Sequence, residues 1–218
     1  MLRIFLLFVF LSLFAGFSFA EERREDEIVV GNTKFTLVQI DKDNGYVLPQ
    51  SVLELYRNGK KLLTHTMTYI EGDCNSETVE LGAYKIGKNE ITFYSYWALQ
   101  GDAPVSPYGV RKQVYNVDNN GRLRRTHSTI YLEAMRSGWG KDDYQGVDFI
   151  YENPTNESEK KLLDNYKKAI ERDFHATFIL SDSNKKLLFE EVRTILKDKI
   201  DKATSGWEEL GGVFYYKK

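Results

Sequence analysis

The sequence predicts an α+β protein: an antiparallel β meander of about eight strands, forming a curved sheet or partly closed barrel, then two amphipathic helices and a C-terminal strand. Three observations carry this. Apolar and polar residues alternate through most of residues 28–135, with β-branched and aromatic side chains prominent. Short Asn-, Asp- and Gly-rich joints punctuate that alternation. Beyond Pro154 the apolar spacing changes from two to three and four.

The chain opens with MLRIFLLFVFLSLFAGFSFA, in which Arg3 is the only charge. A positive start, an apolar middle and the small-x-small end Ser18-Phe19-Ala20 have the layout of a secretory signal peptide cut after Ala20. The apolar run is shorter than the roughly 20 residues a membrane span needs. Export to the periplasm or the medium is therefore expected, with no transmembrane span after cleavage. The mature chain would hold 198 residues with 29 basic and 32 acidic side chains, a net charge of −3. Such a balance argues against a nucleic-acid partner, which requires a strongly basic face. Cys74 is the only cysteine, so no intrachain disulfide can form. Its acidic neighbours Glu71, Asp73 and Glu77 disfavour a reactive thiolate.

Residues 21–27 (EERREDE) read as a charged tail, residues 28–135 as the β region and residues 136–218 as a helix-containing region packed on the sheet, all in one compact unit. The first strand pattern is KFTLVQID, with Phe35 and Leu37 on one face. GYVLPQSVLELY and KKLLTHTMTYI follow, joined at Arg57-Asn58-Gly59-Lys60, an Asn-Gly hairpin signal. Leu63, His65, Met67 and Tyr69 share one face of the latter. VELGAYKI and ITFYSYWA are joined by Gly87–Glu90, and RKQVYNV meets the strand ending THSTIYLEA at Asp118–Gly121. The stretch LQGDAPVSPYG reads as a loop of about ten residues, stiffened by Pro104 and Pro107.

RSGWGKDDYQG reads as a second loop and VDFIYEN as one further candidate strand. Asn156 with Glu159 three residues on resembles a capping box, and Leu162, Leu163, Tyr166, Ala169 and Ile170 recur on one face as far as His175. ATFIL reads as a short strand because Thr177, Phe178 and Ile179 are poor helix formers. A second helix is expected from Lys185 to Ala203, striped by Leu188, Val192, Ile195, Leu196 and Lys199/Ile200 and stopped at Ser205-Gly206. GGVFYYKK reads as the C-terminal strand.

No nucleophile elbow, phosphate-binding glycine loop or paired-histidine zinc spacing is present, so no cofactor or metal is expected. The Asp/Asn clusters at 41–45 and 117–121 read as turns rather than calcium loops. Binding residues are sought elsewhere. ITFYSYWA carries aromatics on both faces, so it is either buried on both sides or presents an open shelf of Tyr94, Tyr96 and Trp97, with Tyr108 beyond. Arg111 with Lys112 on one strand, and Arg122, Arg124 and Arg125 on the next, would form one basic cluster across a hairpin. Trp139, between two glycines, would act as a lid residue or a barrel plug.

The function expected is that of an exported, non-enzymatic binding or accessory protein of the cell envelope. Its ligand would be a glycan, a lipid-like small molecule or another exported protein, held by Tyr94, Tyr96, Trp97, Tyr108, Arg111, Arg124, Arg125 and Trp139. The alternative is an exported hydrolase in which His127 or His175 meets a carboxylate. A third reading is an inhibitor or structural protein acting through one protruding loop at 99–110.

Overall fold

The computed structural model of the chain describes residues 21–45, 48–72, 76–101, 106–132, 156–179 and 182–208. Nine strands form one sheet in the order of the sequence: β1 (Glu21–Val30), β2 (Thr33–Lys42), β3 (Gln50–Arg57), β4 (Lys60–Gly72), β5 (Ser76–Ile86), β6 (Glu90–Gly101), β7 (Ser106–Val117), β8 (Leu123–Leu132) and β9 (Thr177–Phe178). The first eight run antiparallel; β9 joins β8 in parallel through Thr129↔Thr177 and Ile130↔Phe178. The two helices are α1 (Glu157–Phe174) and α2 (Asp182–Glu208). The sheet does not close, because β1 and β9 are its two edges. This is the expected α+β meander, in the open, curved form.

Three local expectations are revised. The charged segment 21–27 belongs to β1, paired with β2 from Glu21↔Lys42 to Val30↔Thr33. Every residue of it is exposed, so it lacks the apolar alternation that marks a strand; its charges suit an edge strand that must not recruit other chains. The two-residue turn Gly31-Asn32, with Gly31 at φ 61°, is what joins it to β2. The ten-residue loop shrinks, since β6 reaches Gly101 and β7 begins at Ser106. Finally, α2 passes through Ser205-Gly206 to Glu208, so that pair does not stop it.

Other signals describe the molecule directly. Asn58 and Gly59 both have positive φ, at 51° and 74°, as an Asn-Gly hairpin demands. The Asn156 side chain accepts from the Glu159 amide at 3.0 Å and opens α1. His175 closes it in the left-handed conformation, at φ 48°. The proposed strands at 147–153 and 211–218 lie outside the described residues.

The sheet folds over at the β4–β5 pair. These strands are paired only from Thr68↔Leu81 to Gly72↔Glu77. Before Thr68, β4 pairs with β3 alone; after Leu81, β5 pairs with β6 alone. The first half, β1 to β4, therefore lies across part of the second half. Phe35, Leu37, Leu53, Leu55 and Met67 from the first half pack with Ile91 and Phe93 of β6 to form the inner core. Full burial of each such side chain is worth roughly 1.5–3 kcal/mol.

The fold-over leaves two ends of the sheet to the helices. On one face α2 lays Leu188, Val192 and Leu196 against Tyr94, Tyr96 and Val110. On the other, α1 lays Leu163, Tyr166 and Ile170 against Trp97, Ile130 and Leu132. Phe93, Ser95 and Trp97 alternate with Tyr94 and Tyr96, so α1 and the folded-over half share one face of β6.

At the fold, the carbonyls of Met67 and Gly82 stand where pairing has ended. Lys199 of α2 donates to both, at 3.1 and 2.8 Å. Burial lowers the Lys199 ammonium to about 8, against an upward push from Asp41. A Cβ on Gly82 would meet the Thr66 carbonyl oxygen at 1.9 Å, so only glycine permits this approach.

Candidate functional site

Where the folded-over half meets α1, the shared face of the sheet is polar. Register places Gly82, Ser95, Arg111 and Ile130 in one row across β5 to β8, with Tyr84, Phe93, Gln113 and Ser128 in the next. Glu80 and Trp97 stand in the row on the other side. Ser95, Gln113 and Ser128 are buried, and so is His65, which β4 brings over from the first half. This is a polar seam inside a fold whose remaining interior is largely aliphatic and aromatic.

Each group in the seam is held differently. The Arg111 guanidinium donates through Nη2 to the carbonyl of Phe174 at 2.6 Å, at the carbonyl end of α1, and lies 5.7 Å from the Phe174 ring centroid. Burial lowers its pKa, and the neighbouring positive charge of Arg125 adds to that, while Tyr115 and Glu80 oppose it. Glu80 carries no ion pair with Arg111; burial raises its pKa against the opposing effects of a hydrogen bond from Trp97 and the charge of Arg111. His65 Nε2 lies 3.0 Å from the Tyr94 carbonyl oxygen, an acceptor, which places the proton on Nε2. Burial drives the His65 pKa down to about 4, the Tyr94 bond opposes this, and the charges of Arg111 and Lys199 reinforce it.

Two polar atoms of the seam, Arg111 Nε and Ser128 Oγ, are buried without a hydrogen-bond partner. Ser128 itself is 8% exposed. They lie on one face as diagonal neighbours, a spacing of roughly 7–8 Å between Cα atoms. An unmade bond at such an atom costs about 1–3 kcal/mol, so sites of this kind call for an explanation. The arrangement offers a positive N–H donor and a hydroxyl to a ligand group that can accept.

The expected binding residues are dispersed. Tyr94 and Tyr96 lie under α2 rather than on an open shelf, and of the two alternatives for ITFYSYWA the doubly covered one describes the strand. Tyr94 donates to Glu191 at 3.0 Å, and Lys112 holds the same carboxylate at 2.7 Å, which ties α2 to β6 and β7. Trp97 is 6% exposed beside Glu80 and α1. Tyr108 lies within β7. Trp139 and Cys74 lie outside the described residues.

The basic cluster divides as well. Tyr115 stands opposite Arg125 and Asn116 opposite Arg124, whereas Arg111 stands opposite Ile130. A bulge between Val114 and Tyr115 adds to the offset. Arg111 thus enters the seam, Lys112 goes to α2, and Arg124 and Arg125 remain exposed. Sequence reasoning missed Ser128, Gln113, Ser95 and Glu80. The available signal was polar residues at the inward positions of otherwise apolar strands.

His127 and His175 are both exposed, and neither lies within hydrogen-bond reach of a carboxylate among the described residues. Asp118 Oδ1 accepts the amides of Asn120 and Arg122, so the 117–121 cluster is a turn, as expected. Compared with known proteins, the chain matches no family model, no curated protein and no solved structure. The class that fold and site define is an open meander sheet with a polar, partly charged interior beneath a helix.

Proposed function

We propose that the protein is an exported, non-enzymatic binding or accessory protein of the cell envelope. In this reading the seam beneath α1 receives an acceptor-bearing small molecule, such as an acidic sugar or a short carboxylate. The observation that carries it is the pair of buried donors without partners, Arg111 Nε and Ser128 Oγ. A charged group bound there makes charge-assisted bonds of the stronger kind. Export is supported by the leader-like residues 1–20. Among the described residues no helix is long and apolar enough to cross a membrane.

The test is thermal unfolding with a panel of short carboxylates, acidic sugars and neutral sugars. An acidic member is expected to raise the Tm of the wild type and to leave Arg111→Gln and Ser128→Ala unmoved. Without ligand, Arg111→Gln is expected to be as stable as the wild type, because a binding arginine is held at a cost to stability. If Arg111→Gln instead loses about 2 kcal/mol or more and no compound shifts the wild type, Arg111 serves only to hold α1 through Phe174, and the reading fails. For export, N-terminal sequencing of the envelope and medium fractions should find chains that begin at Glu21. Protein confined to the cytoplasm with Met1 retained would refute that part.

A further inference from the structure

A groove lies at the turn end of the fold, next to the seam along β7 and β8. There the β3–β4 turn faces the β7–β8 turn. Arg57 bridges them, donating to the carbonyls of Gly121 at 2.6 Å and Asn120 at 2.9 Å. Beside this bridge is a groove of about 400 Å³. Its apolar side is Leu62, Leu63, Tyr115 and Leu123; its polar side is Arg57, Arg122 and Arg124.

The apolar side is not an isolated surface patch. Leu63, Tyr115 and Leu123 pack on the inner core between the two halves of the sheet, so the groove is where that core reaches solvent. Leu62, at its rim, is 39% exposed. The arginines are only partly neutralised. Arg124 has a loose pairing with Asp118 at 3.7 Å, and Asp118 lines a neighbouring groove rather than this one. Arg122 is exposed, and its charge, like that of Arg124, acts on Asp118 without a close ion pair among the described residues. The volume falls within the roughly 300–1,000 Å³ of small-ligand pockets.

We propose that this groove binds a single-chain anionic amphiphile, with its alkyl chain on Leu62, Leu63, Tyr115 and Leu123 and its carboxylate or phosphate head at Arg122 and Arg124. Charge complementarity selects the head, since guanidinium groups bind both anions bidentately. Continuity with the inner core selects the chain, which gains the burial free energy of each methylene it covers. The site adjoins the seam through Tyr115, whose hydroxyl accepts from Gln113 Nε2 at 3.5 Å, but Arg111 and Ser128 do not line it.

The test is isothermal titration of the purified full chain with dodecanoate and dodecyl phosphate below their micelle-forming concentrations. Dodecanol and acetate serve as the uncharged and chainless controls. Saturable binding of one dodecanoate or dodecyl phosphate is expected, with dodecanol at least about tenfold weaker and acetate silent. The double variant Arg122→Gln with Arg124→Gln should weaken binding by about tenfold or more, as should Leu62→Ser. These side chains are exposed, and an unchanged Tm will show that the variants fold. Arg111→Gln should bind dodecanoate like the wild type, whatever becomes of the seam. Equal affinity for dodecanol, full affinity in the double variant, or absence of saturable binding would overturn the proposal. So would sedimentation with anionic phospholipid vesicles without binding of the free amphiphile, since the surface would then read a membrane.

Discussion

His65 shows how one residue couples burial to pH. It is 8% exposed, its ring centroid lies 4.9 Å from that of Phe93 with the planes tilted by 51°, and its polar partner among the described residues is the Tyr94 carbonyl. Its folded pKa of about 4 lies below the ordinary 6.5. The folded state thus refuses a proton that the unfolded chain accepts. Stability is whole above pH 6.5 and falls as pH drops toward 4, by about 3 kcal/mol over that window. Lys199 acts on the alkaline side: its pKa of about 8, lowered from 10.5, makes stability rise as pH climbs between those values. Urea midpoints taken from pH 4 to 10 should trace both limbs. His65→Gln keeps a donor for Tyr94 and should flatten the acid limb alone; an unchanged acid limb in that variant would assign it to other groups. Asp41 belongs to the same scale. Burial pushes its carboxyl up, but hydrogen bonds from Ser51, Gln39 and Arg24 outweigh this and hold it below the usual carboxylate value. Nothing in the local sequence marks His65 as buried beyond its place between Leu63 and Met67, which did put it on the inward face.

At the scale of elements, the crossing of β4 over β5 is the decisive feature, and Gly82 is its hinge. A methyl group there would strike the Thr66 carbonyl oxygen at 1.9 Å and the His65 ring at 2.9 Å. The first of these is backbone and cannot swing away. Gly82→Ala should therefore lose at least about 3 kcal/mol in thermal or urea unfolding. A change under about 1 kcal/mol would mean that the two strands lie further apart. The strands themselves were legible because each alternates and each is bounded by turn residues. Strand β1 was not, because it gains stability from pairing with β2 and from hydrophobic contact only at Ile28 and Val30. The end of α2 was not, because a glycine weakens a helix by only about 1 kcal/mol, where a proline costs about 3.

For the whole molecule, the two halves of the folded sheet are joined at the β4–β5 pair and strapped at the turn end. The straps are Arg57 to Asn120 and Gly121, and the Gly31 amide to the Lys88 carbonyl at 2.7 Å. Arg57→Ala removes one strap without touching the core. Hydrogen exchange at the Gly121 and Arg122 amides should quicken in that variant, with a stability loss of about 1–2 kcal/mol, because hydrogen bonds to a charged donor are worth about that much. Unaltered exchange would show that the inner core alone keeps the halves together.

The meander, its hairpin turns and the capped first helix were readable from the chain alone, because each follows from period or turn chemistry within a few residues. It also named Arg111 and Trp97, each of which lies against the Phe174 ring. Where the sheet folds, which face of ITFYSYWA each helix covers, and that Arg111 of the basic cluster turns inward while Arg124 and Arg125 stay on the rim, were settled by the folded molecule. Those outcomes depend on contacts between residues distant in the chain, such as Gly82 with Thr66 and Arg111 with Phe174. Alternation fixes which side chains share a face, but what comes to cover that face is settled by packing across the whole fold.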